Sequence, residues 1–225
     1  MSNNQIRVVT IDGPSGSGKG TLSQMLARHL GYHLLDSGAL YRLVALASVK
    51  RHVDFAREEF VVPIAQNLNV EFSVEGNSMQ ILLDGEDVTN AIRQEAIGMG
   101  ASQVAAHPGV RAALLERQRA FARLPGLIAD GRDMGTAVFP ESVTKIFLTA
   151  SAEARAERRF NQLKAKGEIV EMENLVADIR ERDERDSKRA VSPLVPAADA
   201  TIIDSTDMSI EEVFASMLAL IKQNS

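Results

Sequence analysis

The segment that most constrains the fold is Gly13-Pro14-Ser15-Gly16-Ser17-Gly18-Lys19-Gly20-Thr21. It follows a run rich in β-branched residues at 6–11, and it precedes residues 22–30, where apolar side chains recur at helical spacing. Glycines let such a loop curl until several backbone N–H groups point inward, which makes an anion nest at a helix N-terminus. The segment therefore predicts a strand, a phosphate-binding loop and a helix in that order.

Two side chains of the loop carry chemistry. The Lys19 ammonium can reach the β- and γ-phosphates of ATP, and the Thr21 hydroxyl can lie beside Mg²⁺. We therefore predict that Lys19 is catalytic and that Thr21 binds the metal. The residues predicted to bind ATP in this loop are Gly13, Pro14, Ser15, Gly16, Ser17, Gly18, Lys19, Gly20 and Thr21. Gly20 departs from the usual loop, which has Ser or Thr directly after the lysine.

Outside the middle of the chain, the pattern alternates between short apolar runs and amphipathic stretches. Further strands are predicted at residues 32–35, 126–129, 143–148 and 201–203, and helices at residues 39–49, 152–163, 173–188 and 210–221. This order is typical of an α/β fold with a parallel sheet. We predict a P-loop NTPase-type sheet of five parallel strands with helices on both faces.

The middle of the chain breaks this rhythm. Apolar residues alternate over 69–74, and a second strand-like run covers 79–83. Gly76-Asn77 indicates a turn, and Asp84-Gly85 indicates a hairpin. We therefore predict a small, mainly antiparallel β insert at residues 63–92.

Composition excludes several classes of protein. The chain has no cysteine, so neither disulfides nor thiolate chemistry are available. Its net charge of −5 argues against a protein that coats nucleic acid. No apolar run approaches the roughly 20 residues that span a bilayer, and residues 1–5 lack the features of a signal peptide. We expect a cytoplasmic protein that binds neither membranes nor nucleic acid.

Three further stretches carry a resemblance to a known family. They are Leu35-Asp36-Ser37-Gly38-Ala39-Leu40-Tyr41-Arg42, Ile128-Ala129-Asp130-Gly131-Arg132-Asp133-Met134-Gly135-Thr136 and Arg182-Asp183-Glu184-Arg185-Asp186-Ser187-Lys188-Arg189. Together with the Gly-Lys-Gly-Thr form of the loop, they resemble bacterial cytidylate kinases, which are nucleoside monophosphate kinases. The resemblance extends over residues 13–189.

The resemblance implies a transferase of pyrimidine metabolism that moves the γ-phosphoryl of ATP to CMP or dCMP with Mg²⁺. It divides a single domain, residues 1–225, into a core (1–62, 93–150 and 190–225), a monophosphate-binding β insert (63–92) and a helical lid (151–189). We expect a monomer. The sequence does not choose between CMP, dCMP and UMP as acceptor, or between ATP and GTP as donor.

Arginines and one aspartate are candidates for binding the acceptor nucleotide. Arg42 and Arg132 follow predicted strands, at the edge where open α/β sheets bind ligands, and a guanidinium can bind a phosphate through two donors. Asp133 can accept from the exocyclic amine of cytosine, whereas uracil presents a carbonyl there. We predict that Arg132 and Asp133 are also catalytic.

The resemblance implies further roles. It places Ser102 and Arg111 at the cytosine base, Arg182 and Asp186 at the sugar, and Arg158 of the lid at the ATP phosphates. Arg182, Asp186 and Arg189 also fall at i, i+4 and i+7, which puts them on one helix face. The full set predicted to bind CMP is Ser37, Tyr41, Arg42, Ser102, Arg111, Arg132, Asp133, Arg182, Asp186 and Arg189.

Three alternatives differ in class. The first is a P-loop kinase for another small acceptor such as UMP, AMP or an alcohol. The second is a nucleotide-binding switch protein, although these usually carry an Asn-Lys-x-Asp motif and the chain has none. The third is a structural or nucleic-acid-binding module that keeps the loop for stability, against which the acidic net charge and the arginine-rich second set of residues count.

Overall fold

The computed structural model describes residues 6–75 and 78–224. The strands are β1 (Arg7–Asp12), β2 (His33–Asp36), β3 (Val70–Glu75), β4 (Ser78–Leu83), β5 (Glu86–Asp87), β6 (Gly126–Gly131), β7 (Thr144–Thr149) and β8 (Thr201–Asp204). The helices are α1 (Lys19–Leu30), α2 (Ser37–Lys50), α3 (Glu58–Gln66), α4 (Glu95–Val104), α5 (Pro108–Arg119), α6 (Ala152–Ala165), α7 (Met172–Ser187) and α8 (Ile210–Gln223). A 3₁₀ turn covers Ala91–Arg93, and a π-helical turn covers Met134–Val138.

The chain forms two compact units. One comprises Met1–Asp36 with Gln118–Ser225, and the other comprises Ser37–Arg117. The first unit contains the five-stranded sheet, in the order β2-β6-β1-β7-β8, and its strands pair in parallel. This confirms the predicted α/β fold.

Helices α1 and α8 pack against the five-stranded sheet of the first unit. Successive side chains of a strand point to opposite faces, so Val9 and Ile11 of β1 share one face, on which they belong to the buried core. Leu26 of α1 and Met217 of α8 are fully buried in the same core. Asp12 is offset by one residue from Ile11, which places it on the other face at the carboxyl end of β1.

Helices α6 and α7 form a small core of their own within the first unit. Ala156, Leu163 and Leu175 are buried there, and Phe160 and Ile179 pack against them. The helical pair lies where the sequence predicts a lid. Among the described residues, no helix is both long enough and apolar enough to cross a membrane.

The second unit contains the antiparallel sheet β3-β4-β5. Asp84 and Gly85 connect β4 to β5 with φ angles of 52° and 82°. Two successive positive φ angles are what a two-residue hairpin of this type requires, so the Asp84-Gly85 hairpin is confirmed. The predicted turn at Gly76-Asn77 lies outside the described residues.

Helix α3 was not predicted. Pro63 lies inside it, so residues 63–66 are helical and the antiparallel sheet begins only at Val70. A proline inside a helix removes one backbone donor and is normally a boundary signal, which is why the sequence placed the start of a β insert there. The functional boundaries of core, insert and lid stay predictions.

Candidate active site

The loop after β1 joins that strand to the N-terminus of α1, as predicted. Gly18 caps α1 with a left-handed φ of 94°. Gly13 has a φ of 152°, and a Cβ there would lie 1.9 Å from the carbonyl oxygen of Leu148. Only glycine fits at residue 13, because the neighbouring strand β7 approaches its backbone directly.

Lys19, the first residue of α1, lies buried against the loop that it follows. Its Nζ donates to the carbonyl oxygen of Pro14 at 2.8 Å, and the Ser17 hydroxyl donates to the same oxygen at 3.1 Å. Burial lowers the pKa of Lys19, and the positive charge of Arg132 lowers it further, while Asp130 and Asp12 oppose the shift. A phosphate would add negative charge to this position and favour the protonated lysine.

Two buried carboxylates accompany Lys19. The two oxygens of Asp12 accept from the backbone N–H groups of Met134 and Gly135, each at 2.8 Å. Burial nevertheless raises the pKa of Asp12 to about 6. Burial also raises the pKa of Asp130, against the influence of the Lys19 charge. Sequence reasoning singled out neither, although Asp12 is the last residue of β1 and Asp130 the last but one of β6, and candidate residues follow both strands.

Asp186 of α7 is the centre of an arginine cluster in the first unit. Its side chain is 2% exposed, and one oxygen accepts from Arg132 Nε at 3.0 Å while the other accepts from Arg189 Nη2. Arg182, one turn earlier on α7, is buried as well. The positive charges of Arg132 and Arg182 both lower the pKa of Lys19. The structure thus brings Arg132, Asp186 and Arg189 together, and places Arg132 and Arg182 near Lys19 of the phosphate loop.

The side chain of Arg158 contacts the backbone of the phosphate loop. Its guanidinium donates to the carbonyl oxygens of Ser17, at 3.4 Å, and Ser205, at 2.5 Å. Arg155, one turn earlier on α6, donates to the carbonyl oxygen of Ser15 at 3.0 Å. The sequence pointed to Arg158 alone, and the one available signal for Arg155 was its position one turn away.

The second unit holds the other predicted acceptor residues. Arg42 donates to the carbonyl oxygen of Ile92 at 2.9 Å. The guanidinium carbon of Arg111 lies 5.5 Å from the centroid of the Tyr41 ring, and Arg111 also donates to Ala105 at 3.0 Å. Ser37, which begins α2, and Ser102, on the adjacent helix α4, are both buried. Within this unit the structure therefore brings together Tyr41 and Arg111.

Asp133 directly follows Arg132 and is 3% exposed. Thr21, by contrast, is exposed in the first turn of α1. In the described parts of the chain, no three His, Cys, Asp or Glu side chains group as a metal cage. A magnesium ion held mainly by nucleotide phosphates needs no such cage, because it keeps most of its ligands from water and substrate.

The five-stranded parallel sheet and the glycine-rich loop with its buried lysine define a P-loop nucleotide-binding protein. The family model described as Cytidylate kinase matches residues 9–223. Curated proteins named cytidylate kinase are similar over almost their whole length. That of Photobacterium profundum is 57% identical over 216 residues, which are 96% of this chain and 95% of the relative.

The same name belongs to a relative from Pectobacterium carotovorum, which is 58% identical over 96% of each chain. A third, from Pseudomonas putida, is 60% identical over 94% of this chain and 93% of its own. The chain belongs to the cytidylate kinase family. The family resemblance that the motifs indicated is therefore confirmed.

Proposed function

We propose that this chain transfers the γ-phosphoryl group of MgATP to CMP or dCMP, giving ADP and CDP or dCDP. The observation that carries the proposal is the position of Lys19. It lies buried in the phosphate loop, near enough to Arg132 and Arg182 that their positive charges lower its pKa. Cations from the loop, from the end of β6 and from α7 can therefore act on one transferred phosphoryl group. The names of the relatives support cytidine nucleotides as the acceptors.

ATP binds through the loop in this proposal. Backbone N–H groups of the loop, to which Pro14 contributes none, hold the phosphates, and the Lys19 ammonium exchanges its Pro14 acceptor for phosphate oxygens. Thr21 would hold Mg²⁺, since this residue is exposed in the first turn of α1. When bound, the ion supplies neutralisation of the β- and γ-phosphate oxygens.

Arginines bind the acceptor phosphate. Arg132 and Arg42 donate to it, and Asp186 holds Arg132 and Arg189 in place through the ion pairs described above. Because Asp186 is already shared by these two arginines, its contact with the sugar runs through an oxygen that also accepts from a guanidinium. Ser37 and Arg182 complete the set around the phosphate and the sugar.

Base choice depends on Asp133. Its carboxylate accepts from the exocyclic amine of cytosine, while Ser102 and Arg111 contact the same base. Tyr41 stabilises Arg111 by a cation–π contact, because the guanidinium carbon lies within 6 Å of the ring centroid. Uracil would present a carbonyl oxygen to Asp133, and the two acceptors would repel each other.

The chemical step is an in-line transfer without a covalent intermediate on the protein. The acceptor phosphate oxygen is already largely anionic near neutral pH, since its second pKa is about 6, so no strong general base is needed. Catalysis then comes from positioning and from cations that neutralise the spread negative charge. Arg158 joins Lys19 at the ATP phosphates when helices α6 and α7 close as a lid, which excludes water. That the chain acts as a monomer stays a prediction.

The test measures ADP release with MgATP and CMP, dCMP, UMP, AMP, GMP or no acceptor. We expect strong turnover with CMP and dCMP and weak turnover with the others. Turnover that is equally strong with UMP or AMP would overturn the base assignment. If none of these nucleotides stimulated ADP release, the proposal would be overturned and a non-nucleotide acceptor would be favoured.

A further inference from the structure

Asp12 links the segment proposed to bind ATP to the segment proposed to bind CMP. It is the last residue of β1 and directly precedes Gly13, the first residue of the phosphate loop. Its carboxylate accepts from the N–H groups of Met134 and Gly135, which directly follow Arg132 and Asp133. One buried side chain, next to the loop proposed to bind ATP, therefore bonds the turn that directly follows two predicted acceptor residues.

The need for this contact follows from the backbone. The β1–β6 ladder ends where Asp12 pairs with Gly131, so no strand pairing fixes the residues after Gly131. Asp133 has a φ of −144° and a ψ of 25°, and the π-helical turn then begins at Met134. The first N–H groups of a helical turn have no acceptor within it. Asp12 supplies the acceptors for two of them.

The strength of the contact follows from its burial. Asp12 is 5% exposed, and each of its two oxygens accepts one backbone N–H. Hydrogen bonds to a buried carboxylate are stronger than those between neutral groups, and leaving a buried N–H without its acceptor carries a penalty. Two hydrogen bonds to one buried side chain therefore join the turn to β1 at a place where strand pairing has ended.

We propose that Asp12 is a positioning residue that sets Arg132 and Asp133 in place relative to the phosphate loop. The inference rests on the proposed function of those two residues. Asp12 itself touches neither nucleotide in this account, because the loop binds ATP through its own N–H groups. Its loss should therefore weaken use of CMP much more than binding of MgATP.

Two substitutions separate this role from packing. In Asp12→Asn one amide oxygen can still accept an N–H, but the amide NH₂ faces the other N–H and bonds it no longer. Asp12→Ala removes both acceptors. Asp199→Asn is the matched control, because Asp199 is an exposed aspartate of the same unit that accepts from Lys145.

The experiment measures three quantities for wild type, D12N, D12A and D199N, at a temperature where all four are folded. The three quantities are kcat/KM for CMP and for UMP, the Kd for MgATP, and the hydrogen-exchange rates of the Met134 and Gly135 amides. We expect kcat/KM for CMP to fall by about 10²-fold in D12A and by less in D12N, since a misplacement of about 1 Å costs that much. The ratio of kcat/KM for CMP to kcat/KM for UMP should fall, and the Kd for MgATP should stay close to that of wild type. The Met134 and Gly135 amides should exchange faster than in wild type.

Wild-type rates in D12A, with fast exchange of the two amides, would overturn the inference because the turn would then not need its anchor. An equal loss of MgATP binding and of CMP use would also overturn it, because Asp12 would then be a general structural residue. These outcomes differ from failure of the proposed function. That failure is an absence of CMP-dependent ADP release in the wild type, whereas the Asp12 inference depends on how each variant compares with the wild type.

Discussion

Arg155 of α6 and Asp183 of α7 form a two-pronged ion pair, in which Arg155 Nη1 donates to one carboxylate oxygen of Asp183 and Nη2 donates to the other. The same guanidinium donates to the carbonyl oxygen of Ser15 in the phosphate loop. The Arg155 side chain is 4% exposed, and its Cβ lies 3.2 Å from where a Cβ on Gly16 would be. The first turn of α6, in the helical pair proposed as a lid, is therefore hydrogen-bonded to the loop proposed to bind ATP.

The first prediction concerns this ion pair. Asp183→Asn leaves the buried Arg155 without its charge partner, and we expect a loss of about 3 kcal/mol in the free energy of unfolding. Urea denaturation measures it. Arg180 and Glu153 also join α7 to α6, but both are largely exposed, so Glu153→Gln should leave the denaturation midpoint almost unchanged. Equal losses in the two variants would show that burial does not decide the strength of these pairs.

The second prediction concerns Lys19. Lys19→Met removes the cation that the loop directs at the transferred phosphoryl group, and we expect kcat to fall by about 10³-fold. CMP affinity, measured by calorimetry, should stay close to that of wild type. Lys222→Met, at an exposed position of α8, serves as the control and should keep full activity. A Lys19→Met protein with wild-type turnover would refute the assignment of the loop.

The third prediction concerns base choice by Asp133. Asp133→Ala removes the acceptor for the cytosine amine, so the preference for CMP over UMP should shrink by the equivalent of about 1–3 kcal/mol. Asp133→Asn presents both a donor and an acceptor, and should therefore use UMP better than the alanine variant does. Ratios of kcat/KM for the two acceptors measure both effects. An unchanged ratio in both variants would place base recognition elsewhere.

The fourth prediction concerns stability against pH. Burial raises the pKa of Asp12 from 3.8 to about 6, so folding favours its protonated form. That contribution to stability is complete below pH 3.8 and is lost as the pH rises through 6. Asp12→Asn does not titrate, so the unfolding free energy of the variant should rise relative to wild type by about 3 kcal/mol between pH 3 and pH 8.

Denaturant titrations at a series of pH values measure this difference. The variant has no titratable group at residue 12, so any offset that does not depend on pH leaves the difference in slope to report the pKa of Asp12. Parallel curves for the two proteins would show that Asp12 keeps an ordinary pKa in the folded chain.

Local signals in the sequence predicted much of the fold. The loop at residues 13–21 and the Asp84-Gly85 hairpin follow from glycine positions and short-range patterns, and the structure contains both. Helix α3 was missed because Pro63 outweighed the apolar spacing around it, although packing holds the helix together in spite of the proline. Local propensity is a weak prior where tertiary contacts decide.

The supporting residues of the candidate site could not be predicted in the same way. Asp12 and Met134 are 122 residues apart in sequence, and Arg155 and Ser15 are 140 apart, so neither contact leaves a local pattern. Arg132 and Asp186 were found because both belong to motifs that carry the family resemblance. The sequence thus indicates the side chains proposed to touch nucleotides better than it indicates those that hold them.

The bond from Lys19 to the Pro14 carbonyl has a consequence for how a nucleotide is received. The ammonium loses its water when the chain folds, and the loop itself provides the oxygen that replaces the water. An arriving phosphate therefore meets a buried ammonium that is already positioned, and it replaces the Pro14 carbonyl and the longer contact to the Ser17 hydroxyl rather than a solvation shell. The reorganisation that a lysine in open solvent would undergo at each catalytic cycle takes place here only once, during folding.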